Sequence, residues 1–292
     1  MRSLGHSIYI AVLIGIVGSS LLIIGLRGFG FYTAPAEERP FHEQYDSLKP
    51  TGFEGHGYGI VGTALIIGGV AIYSARKRIR MFRNIGKVKH FLEFHIFLCI
   101  LGPILVTYHT TFKIGGLVAV SYWCMVAVVA SGFIGRYLYV QIPKGIQGNE
   151  LSAEELAQRG LRISELLQKT YGVGLDTIGA LDKIAIPSKK PSEMSLWDAA
   201  SFFIVSDMTR RLRIRFLMRR LRKKGVGPKM LRTIRALANQ RAVLIRRIAF
   251  LEQLRQVFHY WHVVHLPFSI VMFAILFLHV GVAIAFGYTW IW

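Results

Sequence analysis

Histidine is the residue type in this chain whose spacing can do chemistry. Of its ten histidines, His95 and His109 lie 14 residues apart, and so do His265 and His279. On an α-helix, 14 residues return to within about 40° of the starting face and climb about 21 Å. Each pair therefore shows two imidazoles on one face of a helix, at two depths. A lone membrane histidine is commonly a hydrogen-bonded interior residue or part of a proton path. Two matched pairs point instead to axial ligation, because a six-coordinate haem iron takes ligands from opposite sides and neutral imidazole nitrogens supply them. The expectation is two b-type haems, one between His95 and His265, the other between His109 and His279.

Several neighbours compete for places around these groups. His262 stands one turn before His265 in Trp261-His262-Val-Val-His265, projecting about 60° from it. It is the alternative ligand; otherwise it bonds a propionate, lines a quinone pocket or sits at the interface. His90 and His259 are further off face, His56 lies at the mouth of the second apolar run, and His6 and His42 carry no usable signal. Arg136, in Ser131-Gly-Phe-Ile-Gly-Arg136-Tyr-Leu-Tyr, either neutralises haem propionates or snorkels to headgroups. Lys113 is the corresponding candidate for the outer haem. Gly57, Gly59, Gly62, Gly68 and Gly69, and the run Ala130 to Gly132 with Gly135, leave room for a flat macrocycle or for a neighbouring helix. The two cysteines, Cys99 and Cys124, form no zinc-like pattern and no C-x-x-C-H attachment site, so any haem is noncovalent.

The elements that must position these residues are membrane spans. The chain has 292 residues, 53% of them apolar and only 18% charged, which excludes disorder and disfavours a soluble enzyme. Ile8–Leu26, Tyr58–Ser74, Phe91–Phe112 and Gly116–Val140 are long enough to cross a bilayer, and a fifth run extends from about Trp261 to about Phe286. The first run is longer than a signal-peptide core and reads as a true span. With one span between them, the third and fifth helices run parallel, so His95 meets His265 at one depth and His109 meets His279 at the other. The expected fold is all-α: a five-span bundle with four helices around the haems, divided as residues 1–140, a helical insertion over 141–258, and the last span over 259–292.

Charge sets the expected orientation. Ser74–Lys89 carries seven basic residues and no acid, whereas Arg27–Gly57 carries three basic residues and five acids. The positive-inside rule puts the former in the cytoplasm, with a cytoplasmic N-terminus and a periplasmic C-terminus. Gln141–His259, with 23 Lys and Arg against ten Asp and Glu, falls on the same side. The net charge of +20 is thus mostly topology, and a nucleic-acid-binding face is not expected. Within the insertion, Ser152 and Glu155 spell a capping box opening a helix to about Lys169. Tyr171–Gly174 turns, and Ile186–Ser192 is a Pro-marked loop. Basic helices then cover about Ser195–Lys224 and Met230–Gln256, broken by Gly225-Val-Gly-Pro228. Such a hairpin suits anionic lipid headgroups or docks an acidic redox partner.

The strings Tyr108-His109-Thr-Thr-Phe, Ser131-Gly-Phe-Ile-Gly-Arg136-Tyr-Leu-Tyr and Trp261-His262-Val-Val-His265-Leu-Pro, with the paired histidines, resemble the diheme membrane cytochromes b. They look like a bacterial, cytochrome-b-like branch of the group that includes ferric-reductase-like transmembrane domains. The resemblance covers roughly 55–140 and 258–287 and implies a bacterial inner-membrane location. There is no Pro-Glu-Trp-Tyr string of quinol-oxidising cytochromes b and no Gly-rich flavin or nicotinamide motif. The expected function is therefore electron relay between a redox partner subunit (iron–sulfur, flavin or multihaem c-type) and quinone or a second carrier, with catalysis in the partners. The alternatives are a quinone-reactive oxidoreductase with Glu93, Tyr260 and His262 lining its pocket, or a haem-free transporter or sensor.

Overall fold

The structure, a computed structural model, describes residues 4–82, 84–142, 152–186, 193–223 and 225–289. All regular structure among these residues is helical. Five helices are long and apolar enough to cross a bilayer, and the chain is an integral membrane protein. They are α1 (Leu4–Arg27), α2 (Phe53–Arg78), α3 (Val88–His109), α4 (Gly116–Gln141) and, last in the chain, α9 (Leu251–Ala285). Between α4 and α9 lie α5 (Ala153–Glu165), α6 (Leu175–Ala185), α7 (Leu196–Lys223) and α8 (Pro228–Ala249). The chain divides into two compact units, Met1–Phe133 with Val264–Trp292, and Ile134–Val263.

In the first unit the closest partnership is between α2 and α3. Hydrocarbon offers helices no hydrophobic gain on pairing, so small residues that let backbones touch do the work. A Cβ on Gly62 would stand 2.7 Å from the Gly102 carbonyl oxygen, and a Cβ on Gly102 would stand 2.7 Å from that of Gly62. Gly69 packs the same way, with Leu98 Cβ 3.0 Å and Cys99 Sγ 3.2 Å from the position of its missing methyl. Large apolar side chains elsewhere on the spans stay exposed, among them Leu22, Ile23, Phe133, Val264 and Ile270; these are surfaces for lipid. At mid-span, Ile66, Cys124, Met125 and Met272 form one buried cluster from α2, α4 and α9. The segment between α1 and α2 folds over the α3 terminus through Phe31, Tyr32, Leu48 and Tyr108.

The second unit has its own core. α8 is its hub, packing on α5, α6 and α7, with Leu181, Ile214, Ile234, Ala238 and Ala242 among the buried residues. The capping box forms as expected: Glu155 N–H donates to Ser152 Oγ at 3.2 Å and Ser152 N–H to Glu155 Oε2 at 3.0 Å. α6 is an additional helix after the Tyr171–Gly174 turn. Of the expected Pro-marked loop, 187–192 lies outside the described residues. The second basic helix ends earlier than its sequence pattern suggests. Phe250 leaves helical geometry at φ −108°, ψ 16°, and its side chain, 1% exposed, enters a core with Leu138, Phe203 and Leu254. Burial of one aromatic, worth about 2 kcal/mol, outweighs one more turn of continuous helix. On α7, Ile204, Met208, Leu212 and Phe216 repeat at i+4 and remain exposed, with Arg211, Arg215 and Arg219 interleaved.

Candidate functional site

The four spaced histidines lie in the first unit, each half-buried. His109 ends α3, and its Nδ1 lies 2.9 Å from the Gly55 carbonyl oxygen on α2. Gly59, one turn further along α2, lies directly under the ring: a Cβ there would come within 2.8 Å of His109 Nδ1. His95 repeats the arrangement about four helical turns away, with Nδ1 3.0 Å from the Gly69 carbonyl oxygen. Tyr73 stacks on that ring at 5.3 Å, and Cys99 Sγ lies 3.5 Å from the same Nδ1. A carbonyl oxygen only accepts, so both imidazoles donate from Nδ1 and carry their lone pair on Nε2.

His265 is held from a different helix. Its Nδ1 is 2.7 Å from Ser131 Oγ on α4, and that hydroxyl donates to the Val128 carbonyl at 2.9 Å. With its proton engaged there, the hydroxyl accepts from Nδ1–H, and His265 takes the same tautomer. His279 lies close enough to His109 for the two imidazoles to interact electrostatically. The structure thus brings His109 and His279 together, ties His95 to α2, and ties His265 to α4. An imidazole whose Nδ1–H is fixed by an oxygen is the usual form of a metal-bound histidine, because that bond orients the ring and raises the basicity of Nε2. These residues fit a haem iron, or any metal taking neutral imidazole nitrogen.

The other candidates are distributed more widely. His262, in the second unit, donates from Nδ1 to its own helix at Phe258 O, 3.0 Å away, and packs against Phe258 and Trp261 with its ring exposed. Tautomer does not separate it from His265; burial and a partner on another span do. Arg136 sits 5.9 Å over the Tyr139 ring, and Lys113 lies exposed in the turn after α3. Gly59, Gly62 and Gly69 face α3, which is the helix-packing use of a small residue, while Gly68 has open space around it. His56 stands edge-on to His109 with centroids 6.2 Å apart. The turn beyond His109 passes through Thr111 and Phe112 at φ 50° and 60°, an unfavourable region for side chains with a Cβ. Arg39 holds it, donating to the carbonyls of Thr111, Tyr32 (3.0 Å) and Ala34 (2.9 Å). Burial raises the Tyr32 phenol above its ordinary range.

One cluster has no counterpart in the sequence reading. Glu93, buried on α3, faces His6 of α1. His90 Nδ1 is 3.3 Å from Glu93 Oε2, and His6 Nε2 and Lys89 Nζ are each 3.6 Å from Oε1. His6, His90 and Glu93 could together hold a metal ion. His90 and Glu93 are legible as an i, i+3 pair; His6, eighty-odd residues away on α1, is not. Against known protein families, curated proteins and solved structures, the chain shows no match.

Proposed function

We propose that this protein is a diheme b-type membrane cytochrome, the electron-relaying subunit of an oxidoreductase complex. The reading is carried by two half-buried imidazoles, His95 and His109, each with Nδ1 on a backbone carbonyl oxygen, and by His265, whose Nδ1 meets Ser131 Oγ. His95 with His265 and His109 with His279 are the ligand pairs, at two depths. Haem bound there supplies reversible one-electron chemistry at iron. The chain's own part is to fix ring orientation through Gly55, Gly69 and Ser131, and to keep water from the ligands with apolar spans. Arg136 and Lys113 are the candidate cations for the propionates. The basic loops orient the N-terminus to the cytoplasm and the C-terminus to the periplasm of a bacterial inner membrane. The partners are redox subunits carrying iron–sulfur, flavin or c-type haem groups, together with anionic lipid.

A second reading adds quinone as the carrier at the His95 level. Buried Glu93 among His6, His90 and Lys89 offers hydrogen-bond partners to a quinone oxygen. Turnover of a soluble quinone by the purified chain, lost in Glu93→Gln, supports it; no turnover leaves the relay alone.

The deciding experiment is a reduced-minus-oxidised visible spectrum of the purified chain with haem counted per protein. Two b-type haems are expected, falling to one in His109→Ala and in His279→Ala, and likewise in His95→Ala and His265→Ala. A haem lost in His262→Ala but kept in His265→Ala reassigns one ligand. Protein without a Soret band, made under haem-replete conditions, overturns the reading.

A further inference from the structure

The second unit buries more positive charge than it neutralises. Arg246 is the bulkiest fully buried side chain among the described residues, 2% exposed. Its Nη2 meets Asp207 Oδ1 at 2.6 Å, its Nη1 is 3.5 Å from Ser206 Oγ, and its guanidinium lies 4.3 Å over the Phe203 ring. Arg210 reaches the same carboxylate oxygen at 3.2 Å. Arg247 donates from Nη2 to Val140 O at 3.0 Å and to Gln141 Oε1 at 3.4 Å. Tyr137, on α4, interacts electrostatically with Asp207 and with all three arginines. Three guanidiniums thus surround one carboxylate.

The arrangement leaves donors idle. The Nε–H groups of Arg210, Arg246 and Arg247 and the hydroxyl of Tyr137 are all buried without a hydrogen-bond partner. Native proteins leave only a few such groups per hundred residues, and here four occur in one cluster. Burial, and after it the charge of Arg246, holds Arg247 below the ordinary arginine range, and burial does the same to Arg210. Excess buried charge is expensive unless an anion completes the site. The unfilled positions are N–H and O–H donors, which suit an oxyanion with several acceptor oxygens. Planar guanidiniums match the tetrahedral oxygens of phosphate in particular.

We propose that Tyr137, Arg210, Arg246 and Arg247 form a binding site for a phosphate-bearing anion. Tyr137 lies one turn before Gln141, the last residue of a membrane-spanning helix, which is the depth of lipid headgroups. A phospholipid headgroup and free phosphate offer the same oxygens, and the site is independent of the histidines and of any haem they hold.

The test uses the full chain in nanodiscs of phosphatidylcholine, with chloride as the reference anion. Thermal unfolding is followed as phosphatidylglycerol is added to the discs or inorganic phosphate to the buffer. The unfolding temperature should rise with one of them: a rise with phosphatidylglycerol identifies a headgroup site, and a rise with phosphate alone identifies a soluble ligand. Arg247→Gln should weaken that response about tenfold, the worth of one charge-assisted contact. Arg235→Gln, an exposed position on α8, should leave it unchanged. Arg246→Gln should abolish it, and Arg247→Gln keeps the test decisive if that variant does not fold. The proposal is overturned if neither addition exceeds the chloride reference, or if Arg235→Gln weakens the response as much as Arg247→Gln.

Discussion

The two units give their enclosed nitrogen bases mostly different partners. In the first, three half-buried span imidazoles each set Nδ1 on a neutral oxygen, a carbonyl at Gly55 and Gly69 and a hydroxyl at Ser131, and buried Arg76 donates to the carbonyls of Ile85 and Gly86; only at the start of α3 does His90 meet a carboxylate, that of Glu93. In the second, the buried bases are arginines. Arg241 is answered by Asp182 through two bonds of 3.0 and 2.9 Å and by the Gly160 carbonyl at 2.8 Å, while Arg246 takes Asp207. The solvent explains the difference. A bilayer interior makes an uncompensated charge costly, so the span imidazoles need only an orienting acceptor, while buried Arg76 and Glu93 lie near helix ends and have partners there. The second unit can carry charge because carboxylates are within reach, and where they run short donors stay unpaired.

The contrast can be broken most directly at Asp182. Asp182→Asn leaves Arg241 without its counter-ion and should cost the second unit about 3 kcal/mol, seen as lower thermal or denaturant resistance in far-UV circular dichroism. Replacing both residues by apolar ones of similar volume should recover most of it; failure to recover would mean that the pair specifies the packing rather than merely satisfying charge. A smaller effect is expected at Gly59. Gly59→Ala forces a methyl against the His109 ring and should cost about 2 kcal/mol by overpacking, together with a shift in the spectrum of the haem that His109 is proposed to hold. Gly68→Ala, which meets open space, should do neither, and an equal loss there would remove the packing explanation. The smallest effect belongs to Ser131→Ala. On the proposed haem ligation, losing the partner of His265 Nδ1 should weaken haem retention about tenfold, as orienting partners of metal-bound histidine do, read by haem loss to apomyoglobin. No change would show that packing alone orients the ring.

Much of this architecture is legible along the chain. The five spans follow from apolar run length, the α5 start follows from Ser152 and Glu155, and Pro228 stands at the first turn of α8, where its missing N–H costs nothing. Spacing alone brought His95, His109, His265 and His279 forward. Phe250 was not legible as a break, because its helical neighbours continue the pattern and only the core it enters decides otherwise. Nor was the use of Gly59, Gly62 and Gly69, since a glycine in a span reads the same whether a ring, a backbone or lipid faces it.

Local and periodic properties, then, are what the amino-acid order determined by itself: which stretches cross the membrane, where helices cap, which imidazoles share a helix face, and where basic charge accumulates. These depend on residues a few positions apart, and the chain encodes such distances directly. Tertiary structure alone decided which oxygen orients each histidine, that Glu93 meets His6 of α1, and that three arginines converge on one aspartate beside Tyr137. Those contacts join residues tens to hundreds of positions apart, and hydrogen bonds act only at about 3 Å, so packing had to place the partners before their chemistry could be read.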